Sequence, residues 1–192
     1  LRQVKYENVE YVIAISSFIF EEFSRTHPIP REKMTVVPNM VDVERFSVPK
    51  SSEFSKYNIG ILGILPQLKR FDRAVEIFEK LWLKDSRYKL YVKSKLPQEL
   101  PWMKNRPDEL SYYENIFNKI ESSPWKENVI IESHGDDVTE WFQKINFILS
   151  TSDIESFHLA PMEGMASGTI PIIFNWDGSH TLYPQGNIVS NI

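Results

Sequence analysis

The chain has 192 residues, of which 42% are apolar and 25% charged, with a formal net charge of −4 and no cysteine. That length is enough to bury a full core, and the acidic balance excludes a generally basic nucleic-acid surface. Without cysteine there are no disulfides, thiolate nucleophiles or thiolate zinc sites, and His27, His134, His158 and His180 lack metal-ligand spacing, so no metal is expected.

Short apolar runs alternate with amphipathic segments along the chain. Residues 11–16 read as a strand, 17–24 as a helix and 34–38 as a second strand. Residues 49–56 are polar and rich in Ser and Lys, which reads as a linker. A strong strand signal follows at 59–65. Residues 71–83 carry Phe71, Ala74, Val75, Phe78 and Leu81 at helical spacing, so one stripe faces a sheet. A strand at 89–93 precedes a Pro-containing stretch, 96–108, which reads as an irregular loop. Then come a helix at 109–121, a strand at 128–132, Asp136 and Asp137 as candidate caps, a helix at 138–144 and a strand at 147–150. A helix at 159–166 and a strand at 171–174 complete the series. Several strands are rich in Val and Ile without strict alternation, the pattern of strands covered on both faces. The expected fold class is α/β: a Rossmann-like parallel sheet with helices on both faces. Residues 1–192 are expected to form one such domain, with 1–56 as entry segment and linker and 57–192 as core.

The stretch DIESFHLAPMEGMASGTIP, residues 153–171, carries the chemistry. Pro161 suits the first turn of a helix and Gly168 suits its end. The N–H groups of Phe157, His158 and Leu159 would then project from the helix start, where they and the helix dipole attract an anion. Glu163 lies roughly 6–8 Å further along the axis, at 1.5 Å per residue. That is about the span from a β-phosphate to the ribose of a nucleotide sugar. Glu155 lies on the other side of the same cradle.

These residues resemble retaining glycosyltransferases of the two-Rossmann-domain (GT-B) architecture, the group 1, family 4-like enzymes, in their C-terminal donor-binding domain. The paired Glu155 and Glu163 with a small-residue helix between is similar to the family's donor motif. VIAISSFIFEEF (residues 12–23) resembles the opening strand and helix of that domain. KMTVVPNMVDVERF (33–46) resembles its "pNGvD…F" segment, and GILPQLKRFDRAVEIF (63–78) its "GRL…KG-D" phosphate segment. The resemblance implies that Lys69 and Glu155 are the catalytic pair. Lys69 would hold the donor diphosphate and Glu155 would lie near the transferred sugar. Glu163 would bind the ribose, and Phe157, His158 and Leu159 would cradle the β-phosphate beside Gly63. Departures accompany these matches. Ile64 stands where arginine is usual, and Arg70, following Lys69 where glycine is common, is the candidate replacement. Ser156 and His158 replace glycines of the cradle, and Lys93-Ser94-Lys95 replaces a Gly-x-Gly.

The implied function is retaining transfer of a hexose from a nucleotide-diphosphate sugar to a glycan or lipid-linked acceptor, with no cofactor beyond the donor. The acceptor would be bound by an N-terminal domain that this sequence does not contain, so the chain is expected to be a fragment, inactive alone. A cytoplasmic location is expected, with peripheral association at the inner membrane face for the full-length protein. Two alternatives stand beside it: a non-catalytic binding or scaffold module, favoured by Ile64, and a sugar-nucleotide epimerase of similar architecture.

Overall fold

The computed structural model describes residues 5–47, 49–50 and 53–190. Strands β1 (Val12–Ala14) and β2 (Met34–Val36) pair in parallel, joined through helix α1 (Ser17–Thr26). Ser16 caps α1 by accepting the N–H of Ile19 at 3.2 Å. One turn of helix, α2 (Val43–Phe46), begins at Asp42, whose carboxylate accepts the N–H of Arg45. The apolar pattern leaves so short an element invisible, and the sequence reading placed none there.

The principal sheet contains β3 (Asn58–Leu62), β4 (Lys89–Ser94), β5 (Val129–Ser133), β6 (Phe147–Ser150), β7 (Ile170–Phe174) and β8 (Ile188–Val189). All six are parallel, in the order β5-β4-β3-β6-β7-β8. Helices α3 (Phe71–Lys84) and α4 (Pro107–Glu121) cover one face, where Phe71, Val75, Phe78 and Tyr113 pack on Ile59, Ile61, Leu90 and Val92. Helices α5 (Val138–Gln143) and α6 (Leu159–Ala166) cover the other, where Trp141 and Phe142 meet Ile145 and Ile148. Burial on both faces accounts for the non-alternating strands. Gly60 shows how tight this second layer is. A Cβ there would lie 2.3 Å from Ile145 Cδ1 and 2.7 Å from Trp141 Cη2.

Several local expectations change. β3 stops at Leu62 rather than residue 65, because Gly63 takes a left-handed φ of +79°. The 96–108 loop contains two short 3-10 turns, Pro97–Glu99 and Pro101–Asn105, and its last proline is the first residue of α4. Asp137 precedes α5 without a capping bond, and its carboxylate instead accepts from the buried Lys93 at 2.9 Å. β8 extends the sheet beyond the strands read from sequence. Part of the 49–56 linker, residues 51–52, lies outside the described residues. Lys50 is pinned to the core: its Nζ donates to Phe142 O, Ile145 O and Thr169 Oγ1 at 3.0, 2.8 and 2.7 Å.

The strand order places the site. From β3 the chain moves outward to β4 and β5, then returns to the opposite side of β3 to form β6 and β7. The connections after β3 and β6 therefore leave in opposite directions. In open parallel sheets, ligands bind in the crevice that opens at the carboxyl ends of such a strand pair. The loop after β3 carries Gly63 and Lys69, and the loop after β6 carries Glu155.

Candidate functional site

One wall of the crevice follows β3. A Cβ built on Gly63 meets nothing within 4 Å, so this wall presents bare backbone to open space. Lys69 ends a 3-10 turn, Gln67–Lys69, whose backbone is held from two sides. From the β6 side, Thr151 Oγ1 donates to Lys69 O at 2.8 Å and the Asp153 N–H to Leu68 O at 2.9 Å. From α4, Glu109 accepts the Gln67 N–H at 2.8 Å and Tyr113 OH donates to Ile64 O at 2.9 Å. So anchored, the turn delivers Lys69 Nζ to within 2.5 Å of Glu155 Oε1.

The other wall is the loop between β6 and α6. Glu155 Oε1 also accepts from Ser152 Oγ at 2.7 Å, and His158 Nδ1 lies 3.5 Å away. Oε2 has no partner among the described residues. Burial pushes the Glu155 carboxyl up, but the adjacent His158, the Lys69 charge and the Lys69 and Ser152 hydrogen bonds outweigh it, leaving the pKa lowered. Burial, together with Lys69, drives the His158 imidazole down to about 4 against the opposing pull of Glu155. At neutral pH the ring is therefore uncharged, and Lys69 and Ser152 stabilise the carboxylate.

His158 itself adopts a left-handed backbone, φ 58°. This turns the chain into α6 and leaves the amides of Phe157, His158 and Leu159 without acceptors among the described residues. Tyr183 OH braces the strained residue by donating to His158 O at 2.5 Å and Phe157 O at 3.2 Å. Pro161 lies in the first turn of α6, where it has no N–H to satisfy. In the second turn, the carboxylate of the half-buried Glu163 has no hydrogen-bond partner among the described residues. Burial raises its pKa, partly countered by the nearby Arg45.

The structure thus joins Lys69 to Glu155; the Phe157–Leu159 amides follow Glu155 into α6, with Glu163 further along the same helix, and Gly63 opens the loop that carries Lys69. Arg70 faces elsewhere. Its guanidinium grips Asp72 at 2.8 Å and Asp153 at 3.2 Å. It lines a separate depression of about 550 Å³ with Arg106, Glu109 and Tyr112. Asp153 is shared with Arg73, whose guanidinium lies 2.7 Å away. Ile64 is fully buried in the core, so this position points away from the crevice. Ser150, Ser152 and Tyr183 escaped the sequence reading. Ser152 stands three residues before Glu155, a spacing that could have flagged it; Ser150 and Tyr183 carry no local signal. Among the described residues no group of three or more His, Cys, Asp or Glu is gathered as a metal would need.

A doubly covered parallel sheet whose switch-point crevice joins a glycine-opened loop to a helix N-terminus is the fold of one half of a GT-B glycosyltransferase. The chain is 24% identical over 180 residues to the poly(glycerol-phosphate) α-glucosyltransferase of Bacillus subtilis, covering 93% of this chain and 24% of that protein. It therefore spans about a quarter of the length of the curated relative it matches. Among solved structures it superposes on TarM, also described from S. aureus, with a TM-score of 0.73 at 18% identity, over 97% of this chain and 35% of that one. On Anabaena HepE in complex with UDP-glucose the TM-score is 0.72 at 15% identity, over 99% of this chain and 55% of that one. No family model matches the chain.

Proposed function

We propose that the chain is the donor-binding half of a retaining hexosyltransferase that uses a uridine-diphosphate sugar. The observation that carries this reading is the meeting of Lys69 and Glu155 at 2.5 Å beside unpaired helix-start amides, with the partnerless Glu163 on the same helix. The helix start and Lys69 receive the diphosphate, Glu163 accepts the ribose hydroxyls, and the free Oε2 of Glu155 faces the sugar. The bond from the sugar C1 to the β-phosphate oxygen breaks, and its electron pair leaves with the phosphate. The acceptor oxygen attacks C1 on the same face and loses its proton to the departing phosphate. Charge grows on that phosphate as the bond breaks, so Lys69 contributes most at the transition state.

UDP is proposed because HepE is described with UDP-glucose and TarM with UDP. Transfer to a glycan or lipid-linked acceptor, bound by a second half as in the GT-B architecture, follows from the same resemblance. So does peripheral membrane association; no helix among the described residues is long and apolar enough to cross a membrane. Ile64 was the sequence feature favouring a non-catalytic module, and in the core it says nothing of the crevice. The test is calorimetric titration of this chain with UDP, GDP and ADP. UDP should bind in preference to the others, and no binding of any nucleoside diphosphate at about 1 mM would sink the reading.

A further inference from the structure

His158 stands where the family pattern has glycine, and its imidazole is turned inward beneath the crevice, with only 8% of the side chain exposed. Nδ1 lies 2.7 Å from Ser150 Oγ. Ser150 is completely buried at the end of β6. Its hydroxyl has no other partner among the described residues. A buried hydroxyl that fails to donate costs roughly 1–3 kcal/mol. The Ser150 proton therefore goes to Nδ1, its only partner among the described residues. Glu155 Oε1 is 3.5 Å from Nδ1, too far to hold a hydrogen there, and already accepts from Lys69 and Ser152.

With Nδ1 accepting, a neutral imidazole carries its hydrogen on Nε2. Nε2 has no partner among the described residues and is not among the enclosed, unpartnered side-chain atoms. It is therefore not sealed from solvent. Accordingly the residue adds one oriented donor beside the amides of Phe157 and Leu159. We infer that Ser150 and His158 work as a unit, in which the serine fixes the imidazole tautomer so that Nε2–H is presented to the diphosphate of the donor. This rests on the donor-site reading above. Burial keeps the ring neutral, so the donor persists across the physiological range. Ser150 is then a positioning residue acting through His158.

Long-range proton–nitrogen correlation NMR of the nitrogen-labelled chain, without nucleotide, reads the tautomer directly. Hydrogen on Nε2 is expected in the wild type, and hydrogen on Nδ1 would overturn the inference. Ser150→Ala should release the ring toward the Nδ1–H form, paired to Glu155; an unchanged tautomer would also overturn it. If that variant fails to fold, the wild-type tautomer alone decides. UDP is then titrated. Shifts at Lys69, Glu163 and His158 Nε2 together support the proposal. Shifts at Lys69 and Glu163 with none at His158 would refute it while sparing the donor-site reading. No shifts anywhere would refute that reading as well. His158→Gly suits the left-handed backbone and should weaken UDP binding about tenfold, the effect of one hydrogen bond to a charged group.

Discussion

Replacing Lys69 by Ala should destabilise the fold, and replacing Glu155 as well should restore most of the loss. The Lys69 and Glu155 side chains are 23% and 12% exposed. Breaking a fully buried pair by removing one partner costs roughly 3–5 kcal/mol, while an exposed pair contributes about 0–1 kcal/mol. This pair falls between, so Lys69→Ala should cost about 2 kcal/mol. The loss resides in the side chain, because the Lys69 carbonyl remains tied to Thr151 Oγ1. Glu155→Gln in the Lys69→Ala background removes the stranded charge and keeps an oxygen for Ser152, so the double variant should lie within about 1 kcal/mol of wild type. Urea denaturation of wild type, both single variants and the double variant measures the cycle. Additive losses would refute the coupling. Acidity gives a second check. The folded pKa of Glu155 is lowered from 4.5, so its contribution is present above 4.5 and is lost as pH falls through the folded value. The gap between wild type and Lys69→Ala should close on acidification, and a constant gap would contradict the mechanism.

Glu163→Ala in the complete enzyme should raise KM by roughly 10–100-fold and spare kcat, because ribose contacts are similar in ground and transition states; steady-state kinetics with UDP-sugar decides this. The depressed pKa of His158, about 4 against 6.5, means the unfolded chain takes up its proton first as pH falls. Wild type should therefore lose on the order of 3 kcal/mol more than His158→Gly between neutrality and pH 4, and parallel denaturation curves across that window would contradict it. Gly178→Ala places a Cβ 2.4 Å from Phe18 Cγ on α1 and forces alanine to φ +93°. A loss of about 2–4 kcal/mol is expected by thermal denaturation, and an unchanged melting temperature would show that α1 is not docked there.

Much of the fold is legible in the sequence because its determinants are local. Pro161 and Gly168 bracket α6, and its observed limits, Leu159–Ala166, match the reading. The stripe on α3 reports the face that packs on the sheet. The strand content is legible because both faces are buried. What the sequence does not reveal has a shared cause. Ile64 and Arg70 follow Gly63 within a few residues, yet one enters the core and the other meets Asp153, a residue 83 positions away. Likewise, the brace of Tyr183 on His158 and the anchoring of the Lys69 turn by Glu109 depend on packing between distant segments, which periodicity does not encode. The family resemblance, not residue type, singles out Lys69, Glu155 and Glu163 as candidates; that Lys69 meets Glu155 depends on the crossover from β5 to β6, which sets β6 beside β3.

β3 runs in register with β4 over Asn58–Leu62, but with β6 it shares only the pairs Ile59 with Phe147 and Gly60 with Ile148. Apart from the edge pair β7–β8, which also shares two positions, this is the shortest ladder of the sheet, and the two halves of the fold meet along this seam. Among the interior strands, thermal breathing should be easiest there. A diphosphate spanning Lys69 and the start of α6 would act as a clasp across the seam. Bound nucleotide would then slow amide exchange along β3 and β6 well beyond the residues it touches, joining two lobes that the backbone ladder holds only loosely.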